Sequence, residues 1–307
     1  MKKLMVFISL ALGLFAREFI GKVPLVEKAN NVHFSGSRLN SPELLHNILH
    51  YQAWGELFVY LQVHWFRVLF FGIALGVIVV FFLHYIVIGP KKFSHEGKGI
   101  YVYSVFKRII HWMAALAFVI IVPTGFMMIF GKELGGGELV LTARYLHSIG
   151  TVLFLISAIP MFLMWLIPML PTFDDVKWLF MLGGYLTKKK VVVPAGQFNA
   201  GQKMWFWLAI LGGFVMIITG AMMYFQDFNL AILSGLKLDQ IDIIRISAIV
   251  HNFLGMAIVA LFITHMYMSL FAIKGSLGSM IDGHKSEDEV RYMHSSFYKK
   301  LKKEGKI

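Results

Sequence analysis

Residues 250–265 read VHNFLGMAIVALFITH. The run carries His251 near one end and His265 at the other, and is otherwise apolar except for Asn252 and Thr264. The surrounding apolar stretch, about 246–272, exceeds the roughly 20 residues that a membrane span needs. At about 100° per residue, fourteen residues turn through roughly 1,400°, four turns less about 40°. Both histidines therefore project from nearly one face, about 21 Å apart along the axis. One lies near each surface of the bilayer. Ionisable groups inside a span are costly to bury and mark function by default.

The whole chain agrees with a membrane reading. It has 307 residues, 58% hydrophobic and 15% charged, where a soluble protein carries roughly 25% charge. Four further apolar segments run about 65–88, 109–130, 145–169 and 204–225, the second and third of the five spans with Pro123 and Pro160 as expected kinks. The net charge of +12 sits mostly in short loops, which points to membrane orientation rather than to nucleic acid. The absence of cysteine excludes cysteine-ligated iron–sulfur clusters, thioether-linked haem, disulfides and thiol catalysis within this chain.

The termini and loops set the expected organisation. Residues 1–16, MKKLMVFISLALGLFA, read as a secretory signal peptide, cut after Ala16 or retained as an anchor. Residues 17–64 form an outer arm with an amphipathic interfacial helix over 41–60, with Ser41 as N-cap, Pro42 next and Glu43 in the first turn. Lys91, Lys92, Lys98, Lys107 and Arg108 oppose only Glu96 in the loop before the second span. Lys177, Lys188, Lys189, Lys190 and Lys203 oppose Asp174 and Asp175 before the fourth, and the 274–307 tail is also lysine-rich. The positive-inside rule makes these three cytoplasmic. The N-terminal arm is then outside, in the bacterial cytoplasmic membrane, as a signal peptide requires.

Two more span histidines supply partners. His111 opens the second span on the cytoplasmic side, and His147 opens the third on the outer side. Depth selects the pairs His147 with His251 and His111 with His265. Two imidazoles facing each other at one depth suit a flat metal macrocycle gripped from both sides, and histidine is an axial ligand of haem iron. Hydrogen-bonded packing histidines are the bland alternative, and zinc is less suited with two ligands per level. Gly150 and Gly255, near the outer histidines, are candidates for letting a porphyrin edge approach the backbone, with Gly125 and Gly220 as others. His64 and His84 flank the first span on opposite faces and read as interfacial. His46 and His50 have metal-compatible spacing but no third ligand, and His33, His95, His284 and His294 read as solvated. Asn199, Gly201 and Gln202 cluster before the fourth span, followed by Trp205 and Trp207. They suit either a quinone headgroup or a helix cap with an aromatic belt.

These segments together resemble the cytochrome b (gamma) subunit of respiratory formate dehydrogenases. The resemblance rests on IIHW at 109–112, YLHSIG at 145–150, FNAGQKMWFW at 198–207, VHNFLG at 250–255 and HMYMSLFAIKGSLGSMIDG at 265–283, and covers about 105–285. It implies an all-α integral membrane protein with a four-helix, di-haem core over 105–273, here with an extra transmembrane helix (65–88) and the interfacial helix. It implies two haems b on His111, His147, His251 and His265, and a menaquinone site at Asn199, Gly201 and Gln202 beside the inner haem. The implied partners are an iron–sulfur (beta) subunit and a molybdenum or tungsten catalytic (alpha) subunit, both outside the membrane; a higher oligomer of that complex is compatible with it. Formate oxidation then belongs to the partner, while this chain transfers electrons and reduces quinone. The rivals are a cytochrome b serving a hydrogenase or a thiosulfate or polysulfide reductase, and a haem-free anchor or transporter.

Overall fold

Inside a bilayer no water satisfies the backbone, so each apolar run closes its own hydrogen-bond ladder as a helix. A computed structural model describes residues 52–94, 96, 99–225 and 240–307. Three membrane-length helices come first: α1 (Leu57–Val87), α2 (Val105–Ile129) and α3 (Gly137–Trp165). After the short amphipathic α4 (Phe173–Phe180) come two more, α5 (Ala200–Tyr224) and α6 (Gln240–Ala272). Each long helix starts a turn or two before the apolar run that predicts it, and at α2 and α5 a polar cap extends it past the apolar boundary. Ser104 accepts from the Lys107 N–H at the start of α2, and Asn199 does the same for Gln202 at the start of α5. Single π-helical turns interrupt α1 at Leu61–Trp65 and α5 at Leu208–Gly212, and another forms the last turn of α6 at Met268–Ala272.

Two compact units divide the chain, Met1–Glu56 and Leu57–Ile307. The signal peptide, the arm up to residue 40 and residues 41–51 of the interfacial helix lie outside the described residues, as do His33, His46 and His50. Residues 52–56 are helical.

In the second unit α2 packs on α3, and α5 on α6. Their shared core joins Ala114, Ala117 and Phe118 of α2, Phe154 and Ala158 of α3, Ala209 and Ile210 of α5, and Ile258 of α6. Small residues allow the close approaches: a Cβ on Gly213 would lie 2.5 Å from the Phe154 ring. α1 is peripheral. Only 11% of its span is buried, against 33% in α3, α5 and α6. It holds to α6 through Phe66 and Phe70, which pack on Met256 and Val259.

His84 of α1 departs from the interfacial reading. It is half-buried, with Nδ1 2.6 Å from the Tyr267 hydroxyl of α6 and Nε2 2.9 Å from the Tyr185 carbonyl. The carbonyl can only accept, so Nε2 carries the proton and Tyr267 donates to Nδ1. The ring thus bolts α1 to α6. His64, by contrast, is exposed.

The lysine-rich loops and tail fold together over one end of the bundle. After the turn of α7 (Gly278–Ile281), the tail pairs β2 (His284–Lys285) antiparallel with β1 (Ile100–Tyr101), then forms α8 (Glu287–Met293) and α9 (Ser295–Lys303). It seals against the 193–195 segment, with Val193 N–H donating to Tyr292 and the Ser295 and Phe297 N–H groups to Val193 and Ala195. Lys91 is buried and donates its ammonium to the carbonyls of Thr187 and Lys189. His294, read as solvated, is 3% exposed because this cap closes over it. His284 is exposed as expected, and His95 lies outside the described residues.

Candidate functional site

α3 and α6 bring His147 and His251 together, with ring centroids 6.4 Å apart and planes at 53°. Each Nδ1 is held by a threonine from a neighbouring helix. Thr124 Oγ1 of α2 lies 3.1 Å from His147 Nδ1, and Thr219 Oγ1 of α5 lies 2.9 Å from His251 Nδ1. Both hydroxyl protons are already engaged, on the carbonyls of Ile120 at 2.6 Å and Val215 at 2.9 Å one turn back. Each threonine therefore accepts from the imidazole. The Ile121 carbonyl, 3.1 Å from His147 Nδ1, can also only accept. Nδ1 carries the proton on both rings, which leaves both Nε2 lone pairs available to a metal.

The threonines belong to a repeated sequence, Thr124-Gly125-x-Met-Met and Thr219-Gly220-x-Met-Met. The histidine spacing did not disclose them; this repeat on two spans is the signal that could have. The adjoining glycines lie against the rings, since a Cβ on Gly125 would meet His147 Cε1 at 3.6 Å and one on Gly220 would meet His251 Cε1 at 3.4 Å. Gly150 and Gly255 are elsewhere. The first faces Ile120 and Ile121 of α2, and the second faces Met216 and Phe70. Both positions are taken up by helix packing, with apolar side chains of neighbouring helices against the backbone.

α2 and α6 bring His111 and His265 together toward the lysine-rich end, centroids 6.2 Å apart and planes at 59°. This level is built differently. His265 stacks on Trp205 of α5 at 5.4 Å and 17°. His111 Nδ1 is buried with no hydrogen-bond partner among the described residues. The chain after His265 folds back beside His111: Trp112 Nε1 donates to the Met280 carbonyl at 2.8 Å, and the Arg108 guanidinium donates to that of Ile281. The long 265–283 stretch is thus the clasp of this level.

Asn199 and Gln202 form a reciprocal capping box on α5, each side-chain oxygen accepting the other's backbone N–H at 3.0 Å. The cap leaves the two amide NH₂ groups for another partner. Gly201 lies under Trp178, whose ring would be 3.0 Å from an added Cβ. One turn on, Trp205 touches His265, so the cap and the His111–His265 level share a helix face. Lys203 completes the local frame in a buried ion pair with Asp175 at 2.7 Å.

The geometry admits haem at both levels. Two metal–imidazole bonds of about 2 Å, with about 1.1 Å from each ring nitrogen to its centroid, place facing rings about 6 Å apart. No group of three or more histidine, cysteine or carboxylate ligands exists among the described residues. Each level would supply two imidazole nitrogens to a metal macrocycle that brings its remaining donors itself.

A family model described as prokaryotic cytochrome b561 matches residues 102–283, more than half of the chain. Among curated relatives, the cytochrome b556(Fdn) subunit of nitrate-inducible formate dehydrogenase from Escherichia coli K12 is 25% identical over 203 residues, 64% of this chain and 88% of the relative. The cytochrome b556(fdo) subunit of formate dehydrogenase from the same organism is 26% identical over 207 residues, 66% and 92% of the two chains. The formate dehydrogenase cytochrome b556 subunit of Haemophilus influenzae is 26% identical over 199 residues, 62% and 79%. None of these matches reaches the full length of this chain.

Proposed function

The chain belongs to the prokaryotic cytochrome b561 family, and on that premise we propose that it is the di-haem b membrane subunit of a formate dehydrogenase. In this reading it passes electrons from an iron–sulfur subunit at the outer face to menaquinone at the cytoplasmic face. The observation that carries it is the pair of facing imidazole couples, 6.4 Å and 6.2 Å between centroids, at two depths of one bundle. The family is one of haem b cytochromes, and bound haem supplies a one-electron centre.

His147 and His251 hold the outer centre, and His111 and His265 the inner one. Thr124 and Thr219 fix the outer rings in the tautomer that presents Nε2 inward. Trp205 fixes the plane of His265 by stacking. Asn199 and Gln202 offer their amide N–H groups to the quinone carbonyls, and Gly201 between them gives the Trp178 ring room to pack close to the backbone of that cap. The lysine-rich cap faces the cytoplasm, by the positive-inside rule. Moving each electron inward costs about 2.3 kcal/mol per 100 mV, so quinone reduction at the cytoplasmic face conserves redox energy as membrane potential. Formate chemistry belongs to a molybdenum or tungsten partner subunit.

The test is purification of the native complex with subunit identification and haem quantitation. Two haems b per chain, both reduced by formate, are expected. A co-purifying hydrogenase or thiosulfate or polysulfide reductase would replace the donor and keep the haems. A reduced spectrum without b-type bands would leave a haem-free anchor or transporter.

A further inference from the structure

Quinone reduction consumes protons as well as electrons: menaquinone, two electrons and two protons give menaquinol. No residue described so far brings protons in. Beneath the lysine-rich cap lies a set of ionisable side chains that the electron path does not use. Lys285 and Glu289 form an ion pair at 2.6 Å, 7% and 2% exposed. Burying such a pair is expensive and is weak evidence for stability alone. Tyr103 is fully buried within their field. His294 donates Nδ1–H to the Gly196 carbonyl at 2.8 Å, which leaves Nε2 as an acceptor, and its ring feels the charges of both Lys285 and Glu289.

The set connects two places. On one side, Lys285 and Glu289 line a cavity of about 290 Å³ whose exposed walls include Glu96, Asp282, His284 and Glu287. Around that wall His284 faces Asp282 at 3.7 Å, and Tyr298 donates to Glu287 at 2.6 Å. On the other side, Gly196 lies three residues before Asn199. Gln197 donates to the Val102 carbonyl beside Tyr103, and Phe198 packs on the Tyr103 ring. Tyr185 also lies in the field of Glu289.

We propose that Glu289, Lys285, Tyr103 and His294 form the proton inlet of the quinone site, filled from the cytoplasm through this cavity. The inference rests on the menaquinone reading of the Asn199 cap. Each turnover passes two protons to the reduced quinone one at a time: the cluster gives up one proton, takes one back from the cytoplasm, and then gives up the second. Burial pushes the Tyr103 hydroxyl up; burial pulls Lys285 down, but the Glu289 carboxylate and Tyr103 together more than reverse this. Burial, aided by Lys285, pulls His294 down to about 4. At neutral pH His294 is thus an empty acceptor beside a charged pair.

The experiment uses the whole complex in proteoliposomes with menaquinone. The double variant Lys285→Met/Glu289→Leu removes the charges as a pair and keeps the volume. His294→Asn keeps a donor for Gly196 and removes the second nitrogen. Both variants are expected to keep two haems and the rate of haem reduction by formate. Menaquinol formation is expected to slow at least about tenfold, with a deficit that grows as pH rises. Infrared difference spectra of quinone reduction in the parent complex are expected to show a carboxyl signal that Glu289→Gln removes. A cluster that only braces the cap would leave the pH profile and the infrared signal unmoved. Folded variants with unchanged menaquinol rate and pH profile overturn the proposal. Haems that formate does not reduce in the parent complex would overturn the donor assignment instead.

Discussion

The two histidine levels are alike in separation and unlike in support. At the His147–His251 level, a threonine on a neighbouring helix binds each Nδ1, so proton position and ring orientation are set before any ligand arrives. At the His111–His265 level, His111 Nδ1 has no partner among the described residues, and His265 is held by the face of Trp205. The second level sits one helical turn from the Asn199 cap, below a folded cap of loops and tail. On the proposed function, the difference separates a relay that only passes electrons from one that must also meet a diffusible substrate.

The largest effect is expected from the ligands. His251→Ala should halve the haem content and remove the outer couple. His265→Ala should also halve it, and should abolish menaquinone reduction with it. Haem assay and quinol formation check both, and full haem content in either variant breaks the pairing. Next come the threonines. Thr124→Val and Thr219→Val keep shape and remove the acceptor, and groups that orient a metal-bound histidine are worth about 10–100-fold in affinity. Haem retention after detergent washing should fall at the outer level alone. Equal loss at both levels would erase the contrast.

Asn199→Ala removes a helix cap worth about 1 kcal/mol together with a proposed quinone donor. Both haems should remain while menaquinone reduction weakens; loss of both haems would move the quinone site elsewhere. The smallest effect concerns the lysine-rich cap. His294 titrates at 6.5 when unfolded and near 4 when buried, so its contribution is full above pH 6.5 and falls as pH drops toward 4. Hydrogen exchange of the 193–197 amides should quicken over that window. His294→Asn should flatten the dependence.

The long helices were legible because a span is a local property: some twenty apolar residues with their own backbone ladder. Their starts were less legible; at α2 and α5 Ser104 and Asn199 extend them with polar caps. The Asn199 segment supported two readings in sequence, and the structure shows the cap in place, with its amide donors left over. His84 and His294 were misread because each is satisfied by groups far away in sequence, Tyr267 and Tyr185 for one and Gly196 for the other.

Sequence alone determined the five spans and the shared face of His251 and His265, because hydropathy and a 3.6-residue period act within one helix. Only the tertiary structure decided that Thr124 and Thr219 close onto the outer rings, that Trp205 lies on His265, and that the lysine-rich tail is folded over a buried ion pair. Those outcomes depend on which helix faces are pressed together and on what their packing shields from water, and neither is written in the period of any one segment.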